Sequence, residues 1–388
     1  MASENRTVKA TCHCGEAAHE ITLQSNAFPL PAWFCTCDSC RHMTGGMYLS
    51  CVFLPSDYKP STALLNKLTA FNFSKTITQY FCKQCGAQML VHCLGKYNAP
   101  ETTEHWDALT GSLEQFDGVV DVKGYEYIVN TKDGGFTDFL HAINDRALKR
   151  WPLDFDEGAE LPLYWRPPKL AKPPAAIDRL PAHCKCKGVS FYITRPSQQP
   201  IPTDKPWPEA LIPNYDQAQD LDDAAQESWW LRAKKGKFLA GLCACDTCRL
   251  VSGMDITAWA FVPAIDMTLD SEGKVPFTTD FGTLKSYNSG PGVTRHFCSR
   301  CGATVFYDHV DRNRMQLLDV AVGLLAAPEG ARAESWLEWR TERVSFPEDA
   351  VGRARSLIEG LENGLRDFRE RGYGRLGPAK EVSDALLV

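Results

Sequence analysis

Cysteines recur along this chain in three patterns, each of which suits metal ligation. Cys12 and Cys14 form a C-x-C, Cys35, Cys37 and Cys40 a C-x-C-x-x-C, and Cys82 and Cys85 a C-x-x-C. The order then repeats, as Cys184 and Cys186, then Cys243, Cys245 and Cys248, then Cys298 and Cys301. Cysteines this close rarely bridge one another, and disulfide frameworks belong to short secreted chains. This chain has 388 residues and opens on MASENRTVKA, which lacks the apolar run of a secretory signal. The 14 cysteines of these motifs, among 16 in the chain, are therefore read as metal ligands, with zinc the expected ion.

Each repeat offers seven motif cysteines, which divide as four plus three. C-x-C with C-x-x-C makes a closed set of four, as structural zinc requires. Cys12, Cys14, Cys82 and Cys85 are assigned to the first such site, and Cys184, Cys186, Cys298 and Cys301 to the second. A C-x-C cannot ligate one ion from a regular strand, because alternate side chains face alternately, so a bend must follow. Gly15 and Gly86 supply one in the first copy; Lys187 stands where Gly15 does.

The remaining trios, Cys35, Cys37, Cys40 and Cys243, Cys245, Cys248, leave a coordination position open. An open position is what separates catalytic from structural zinc. Three thiolates on a divalent ion make a weak Lewis acid, better suited to holding a substrate thiol as thiolate. Up to two zinc ions per domain are expected, one structural and one catalytic. Cys51 or Cys93 could close the first trio, whereas the second copy has no spare cysteine. Cys51 sits in an apolar stretch, which suits a core thiol. His42 faces Val or Leu in the second copy and is not a shared ligand. Arg41 and Arg249 follow the trios and are candidates to hold a substrate carboxylate, an ion pair with a neighbouring acid being the alternative.

The flanks repeat as well. ITQYFCKQCGAQMLVH aligns with VTRHFCSRCGATVFYDH, so the chain is a tandem duplication. The second copy carries an insertion of 36 residues within about 195–236, rich in Pro, Gln and Asp and ending near Trp229-Trp230. That pair either covers a pocket or packs on its own surroundings. The expected organisation is a first zinc domain over 1–150, a Pro-rich linker or wrap over 151–182, and a second zinc domain over 183–388. The stretches MYLSCVFLP, KTITQYFC, YEYIVNT, ITAWAFVP and QLLDVAVGL predict strands. Ser345-Phe346-Pro347-Glu348 has capping-box spacing, and apolar residues at 351, 354, 357, 358, 361, 365 and 368 predict a C-terminal helix over about 347–371. The fold class is mainly β: two tandem zinc-stapled β-rich domains with that helix. Two fused copies also allow a pseudo-dimer within one chain.

The formal net charge is −6 and no segment has a basic surplus, which argues against a nucleic-acid partner. No apolar run of membrane-spanning length occurs, and a cytoplasmic protein is expected.

The motifs CHCGE, CTCDSCR and YFCKQCGA, repeated as CKCKG, CACDTCR and HFCSRCGA, resemble the glutathione-dependent formaldehyde-activating enzyme family, also called the centromere protein V domain family. NTKDGGFTDFL at 130–140 resembles the close of such a domain; the second copy has AESWLEWRTERVSF instead. Tandem chains of this kind look typical of fungi. The resemblance implies an Mss4-like fold, shared with a small Rab-GTPase-binding exchange factor and methionine sulfoxide reductases. It also implies structural zinc at the outer pairs, catalytic zinc at the trios, and a carbon–sulfur lyase reaction joining glutathione and formaldehyde as S-(hydroxymethyl)glutathione. The same chemistry on another electrophile or thiol conjugate is a second expectation, and a non-catalytic zinc-stapled binding module a third.

Overall fold

Short β-branched and aromatic stretches build two sheets of eight strands, one in each repeat of this computed structural model. The structure describes residues 4–95, 104–168, 177–197, 229–234, 236–312 and 316–372. In the first sheet Leu30–Cys35, Leu49–Phe53, Glu104–Leu109, Gln88–Leu94 and Ile77–Cys82 lie side by side. In the second, Lys237–Cys243, Thr257–Pro263, Leu317–Ala321, Thr304–His309 and Val293–Cys298 take the same places. Both sheets carry an irregular register immediately before the C-x-x-C, at Tyr80/Phe81 and at His296/Phe297. Such a break bends the strand end into the C-x-x-C turn. Most of the insertion at 195–236 lies outside the described residues. Trp229 and Trp230 are described and buried, with Trp229 against Phe261, so the pair packs in the core.

Two local expectations differ from the fold. YEYIVNT is not a continuous strand: Val120–Glu126 ends where Tyr127 enters the left-handed region at φ 56°, and a 3-10 turn follows over Ile128–Thr131. The helix Pro347–Glu370 begins with Pro at its first turn, but no side chain caps it. Ser345 is instead held by the sheet, donating its N–H to the Leu242 carbonyl at 2.8 Å and accepting from the Ala244 N–H at 2.9 Å. The apolar stripe of this helix is buried from Ala354 to Phe368. Much of what it buries against belongs to the first copy. Phe368 meets Phe139 edge-on at 5.0 Å, and a Cβ at Gly364 would stand 2.0 Å from the Phe139 carbonyl oxygen. No helix among the described residues is long and apolar enough to cross a membrane.

The copies meet about a pseudo-twofold axis, with contacts that recur in exchanged form. The N–H of His13 donates to the Leu250 carbonyl at 3.0 Å, and that of Lys185 to the His42 carbonyl at 2.8 Å. The N–H of Gly111 donates to the Gly253 carbonyl at 3.1 Å, and that of Gly323 to the Gly45 carbonyl at 2.9 Å. A Cβ at Gly111 would stand 2.4 Å from the Gly253 carbonyl carbon, so backbone meets backbone there. This is the isologous geometry of a homodimer, built within one chain.

Arg332 adds a fully buried ionic tie between the copies. Its Nη1 donates to Asp138 Oδ2 at 3.0 Å and to the Gly135 carbonyl at 2.9 Å, and its N–H to Asp133 Oδ2 at 2.7 Å. Asp133, Gly135 and Asp138 all lie in NTKDGGFTDFL, so that segment serves as the socket for the other copy. Replacing Arg332 by Ala leaves the carboxylates buried without this cation, and an expected loss of about 3–5 kcal/mol would be read by denaturant unfolding.

Candidate metal centres and active site

In both copies the first cysteine pair sits in the loop joining the strands of a two-stranded ribbon, Asn5–Ala10 with His19–Gln24 and Arg179–His183 with Ser190–Thr194. Gly15 takes φ 75° and Lys187 takes φ 55°. Each donates its N–H, to Cys12 and to Cys184 respectively, across the same 3.0 Å turn. Lys187 thus preserves the bend, at a cost of about 1–2 kcal/mol for a non-glycine residue in that region.

The four sulfurs of Cys12, Cys14, Cys82 and Cys85 lie within 4.8 Å of one another, as do those of Cys184, Cys186, Cys298 and Cys301. Cys12–Cys14, Cys14–Cys82, Cys184–Cys186 and Cys186–Cys298 stand 3.5 Å apart. Thiolates on tetrahedral zinc stand about 3.8 Å apart, so these sets fit the ion. The Ala17 and Val189 N–H groups donate to Cys12 and Cys184 Sγ, each at 3.4 Å, orienting the ligands.

The trios are built by a strand that stops and a helix that starts. Cys35 and Cys243 end their strands, and Cys37 and Cys245 cap the helices Asp38–Thr44 and Asp246–Ser252. The cap sulfurs accept the N–H of Cys40 and Cys248, each at 3.3 Å. Each trio's sulfurs lie within 4.8 Å of one another, a three-thiolate set that fits zinc with one position left over. Cys51 and Cys93 join neither set: both thiols donate to Asp107 Oδ2 at 3.9 Å. His42 turns away too, donating from Nδ1 to the His183 carbonyl at 2.7 Å and stacking on that ring. Burial, then the neighbouring His183, lowers the His42 imidazole to about 4.

Arg41 and Arg249 do not face an open pocket. Arg41 pairs with Asp38, and Arg249 with Asp246 at 2.7 Å, while Arg249 Nη1 donates to the Gly111 carbonyl of the first copy at 2.7 Å. Arg41 thus ties its own helix, and Arg249 both its own helix and the junction between copies.

Beside Cys243, Cys245 and Cys248 lies a cavity of about 400 Å³. Trp259, Phe261, Tyr307 and Phe346 give it aromatic walls, and Arg295, Arg312, Arg340 and Arg343 give it cationic ones. Arg295 reaches the trio itself, with Nη1 donating to Cys248 Sγ at 3.2 Å and the guanidinium 4.4 Å from the Tyr307 ring centroid. Hydrogen bonds from Cys243 and Cys245, with Arg295 beside them, hold the Cys248 thiol well below its ordinary range. A trio carrying zinc has a charge of −1, which Arg295 offsets. Arg312 pairs with Asp319, whose carboxyl burial pushes up to about 6 against the pull of Arg312. Burial lifts the Tyr307 hydroxyl to about 12.

The cysteine motifs singled out none of the arginines or aromatic residues of this pocket. Arg295 is the R of VTRHFC, aligned with Gln79 in ITQYFC, and that difference was the available signal. Sheet register shows its consequence: Arg295 pairs with Tyr307 as Gln79 pairs with Val91, and Tyr307 with Asp319 as Val91 with Asp107. In the first copy the same face is filled by a small apolar cluster of Cys51, Val91, Cys93, Leu109 and Met254. The start of the Pro-rich segment also wraps this copy. Leu153 accepts the Tyr127 N–H at 2.7 Å, and Phe155 packs on Trp33 at 4.1 Å. Burial, then Asp154 and Cys37, push the Glu126 carboxyl up to about 8.

Comparison with known proteins agrees with the duplicated layout. Residues 7–115 and 231–340 each match the family described as glutathione-dependent formaldehyde-activating enzyme. The second match starts beyond Cys184 and Cys186, which the insertion separates from it in sequence but not in space. A protein of Penicillium rubens, provisionally named as a glutathione-dependent formaldehyde-activating enzyme, is 34% identical over 88 residues. That alignment covers 23% of this chain and 43% of the relative, so the chain spans less than half the length of that protein. A Talaromyces marneffei protein with the same provisional name is 26% identical over 146 residues, covering 38% of this chain and 68% of the relative. No solved structure matches the chain. Two family matches in one chain, each spanning a C-x-C-x-x-C and a C-x-x-C, make this protein a tandem member of the glutathione-dependent formaldehyde-activating enzyme family.

Proposed function

We propose that the chain is a carbon–sulfur lyase whose working site is the second copy, joining a glutathione-type thiol to a small carbonyl. The observation that carries this reading is the cavity beside Cys243, Cys245 and Cys248, into which Arg295 projects. Zinc held by the three cysteines supplies a soft cation that favours the thiolate form of a substrate thiol. The S–H adds across the C=O: a C–S bond forms, the carbonyl π bond opens, and the proton ends on the new hydroxyl. No oxidant or reductant is needed, and the reverse is the lyase direction.

The chain's own groups bind and orient. The arginine-bearing walls suit the carboxylates of a glutathione-like thiol. Trp259, Phe261 and Phe346 exclude water and hold the two reactants together. Arg295 is a positioning residue, fixing Cys248 and offsetting the charge of the trio. The first copy's trio and both four-cysteine sets are assigned structural roles, with up to two zinc ions per copy. A cytoplasmic setting, where thiols stay reduced, suits all these ligands.

Exchange NMR with glutathione and formaldehyde tests the activity, with acceleration by added protein expected and an unchanged rate excluding it. Arg295→Gln, which reproduces Gln79 of the first copy, is expected to lower kcat/KM about 10–100-fold with the melting temperature held. Arg295→Lys should recover part of that loss in kcat rather than in KM, a split that a purely structural role would not produce. The aromatic wall favours a second reading, in which the carbonyl or the thioether carries an apolar group that fills it. Larger carbonyls turned over faster than formaldehyde would select that reading.

A further inference from the structure

Strand pairing in the first copy assembles a set of donors that no cysteine motif contains. Gln88–Leu94 runs antiparallel to Glu104–Leu109, with Cys93 opposite His105 and Val91 opposite Asp107. Alternation along the strand puts His105 and Asp107 on one face, and the register brings Cys93 to that face. Cys93 Sγ, a ring nitrogen of His105 and a carboxylate oxygen of Asp107 all lie within 4.8 Å of one another. Cys51, on the strand flanking Glu104–Leu109 from the other side, places its Sγ 3.9 Å from Asp107 Oδ2.

Asp107 gives this cluster its meaning. It is 1% exposed, and among the described residues no lysine or arginine reaches it. Its neighbours are the thiols of Cys51 and Cys93 at 3.9 Å and the imidazole of His105, whose Nε2 stands 3.7 Å from Oδ1. The carboxylate at the same register position of the second copy, Asp319, is paired with Arg312. A buried carboxylate needs a cation or a proton. In the second copy the cation is a side chain; in the first its place is ringed by thiols and an imidazole. Those are the donors that select a borderline-soft divalent ion over magnesium or calcium. Donors around four-coordinate zinc stand about 3.3–3.8 Å apart, a contraction from 4.8 Å within reach of side-chain rotation.

We propose that Cys93, His105 and Asp107 form a separate metal site for a divalent ion of the zinc class, with Cys51 in reach as a fourth donor. The site is confined to the first copy, because the second has Leu317 where His105 stands. It would pin three strands together on the face that opens as a cavity in the second copy, so that after duplication one copy kept a pocket and the other gained a staple.

Zinc content of the full-length chain is compared with that of Cys93→Ser/His105→Ala by plasma mass spectrometry. The expected result is one equivalent fewer in the variant, and equal content would overturn the proposal. Cobalt-loaded wild-type minus variant should give visible bands with the weak charge transfer of a one- or two-thiolate site, not the strong band of a trio. An anomalous difference map at the zinc edge, from wild-type crystals, decides the matter whether or not the variant folds. A peak between Cys93 Sγ, His105 and Asp107 supports the site, and no peak there overturns it. All three readouts address this position, so they stand or fall independently of the lyase reading and of the ion count at the cysteine clusters.

Discussion

Serine in place of Cys245 is expected to lower thiol–carbonyl exchange by at least about 100-fold, while serine in place of Cys37 changes it by less than about threefold. The two cysteines hold the same position in the repeat, each capping its helix and accepting one N–H at 3.3 Å. What differs is the space in front of them. Cys245 lines a cavity of about 400 Å³ shared with Arg295 and Tyr307, whereas the corresponding face of the first copy holds Cys51, Val91, Cys93 and Leu109. A substrate thiol needs a route to the trio as well as a metal in it. Steady-state exchange NMR on the two single variants, with circular dichroism to check folding, reads the contrast. Equal losses in both variants would show that the first copy takes part in the chemistry, and equal retention would remove the second trio from it.

The division of fourteen cysteines into two fours and two threes was legible because ligation is a counting constraint and the repeat counts twice. Lys187 in place of a glycine did not hide the second set, since one strained residue costs far less than a ligand. The pocket was less legible. The exchange of Gln79 for Arg295 stands in plain view in the aligned flanks, but its importance depends on Tyr307, Asp319 and Phe346 lying beside it, which sheet register and a distant helix decide. The C-terminal helix shows the same limit. Periodicity identifies the buried face, but not that Phe139 and Ala142 of the other copy are what it covers. Ser345 had the spacing of a cap and was drawn into the sheet by two backbone hydrogen bonds, a case of tertiary pairing overriding a local motif. Prolines over 151–182 implied a stiff linker or an extended wrap, yet only long-range contacts of its first residues with Trp33 and Tyr127 show that its start crosses the first copy.

Loss of a four-cysteine site is expected to unfold more than its own copy. In model peptides such a site contributes an apparent ~10–16 kcal/mol, as much as the net stability of many whole domains. An ion held by Cys298 and Cys301 would fix the end of Val293–Cys298 to the turn holding Cys184 and Cys186, more than a hundred residues earlier. Without that tie, Cys298→Ser frees the strand bearing Arg295 and the turn that donates the Lys185 N–H to His42 of the first copy. The first copy in turn relies on Arg332 and on the helix Pro347–Glu370 to cover Asp138 and Phe139. Calorimetry of the wild type should therefore show one cooperative transition rather than two, lowered by tens of degrees when a strong chelator is present. Cys298→Ser and its counterpart Cys82→Ser should both be largely unfolded at 37 °C. If Cys298→Ser kept a separate transition assignable to residues 4–168, the copies would be independent folding units and the pseudo-twofold contacts would contribute little to stability. The buried packing of Phe368 on Phe139 argues against that, since separating the copies would expose both rings to water.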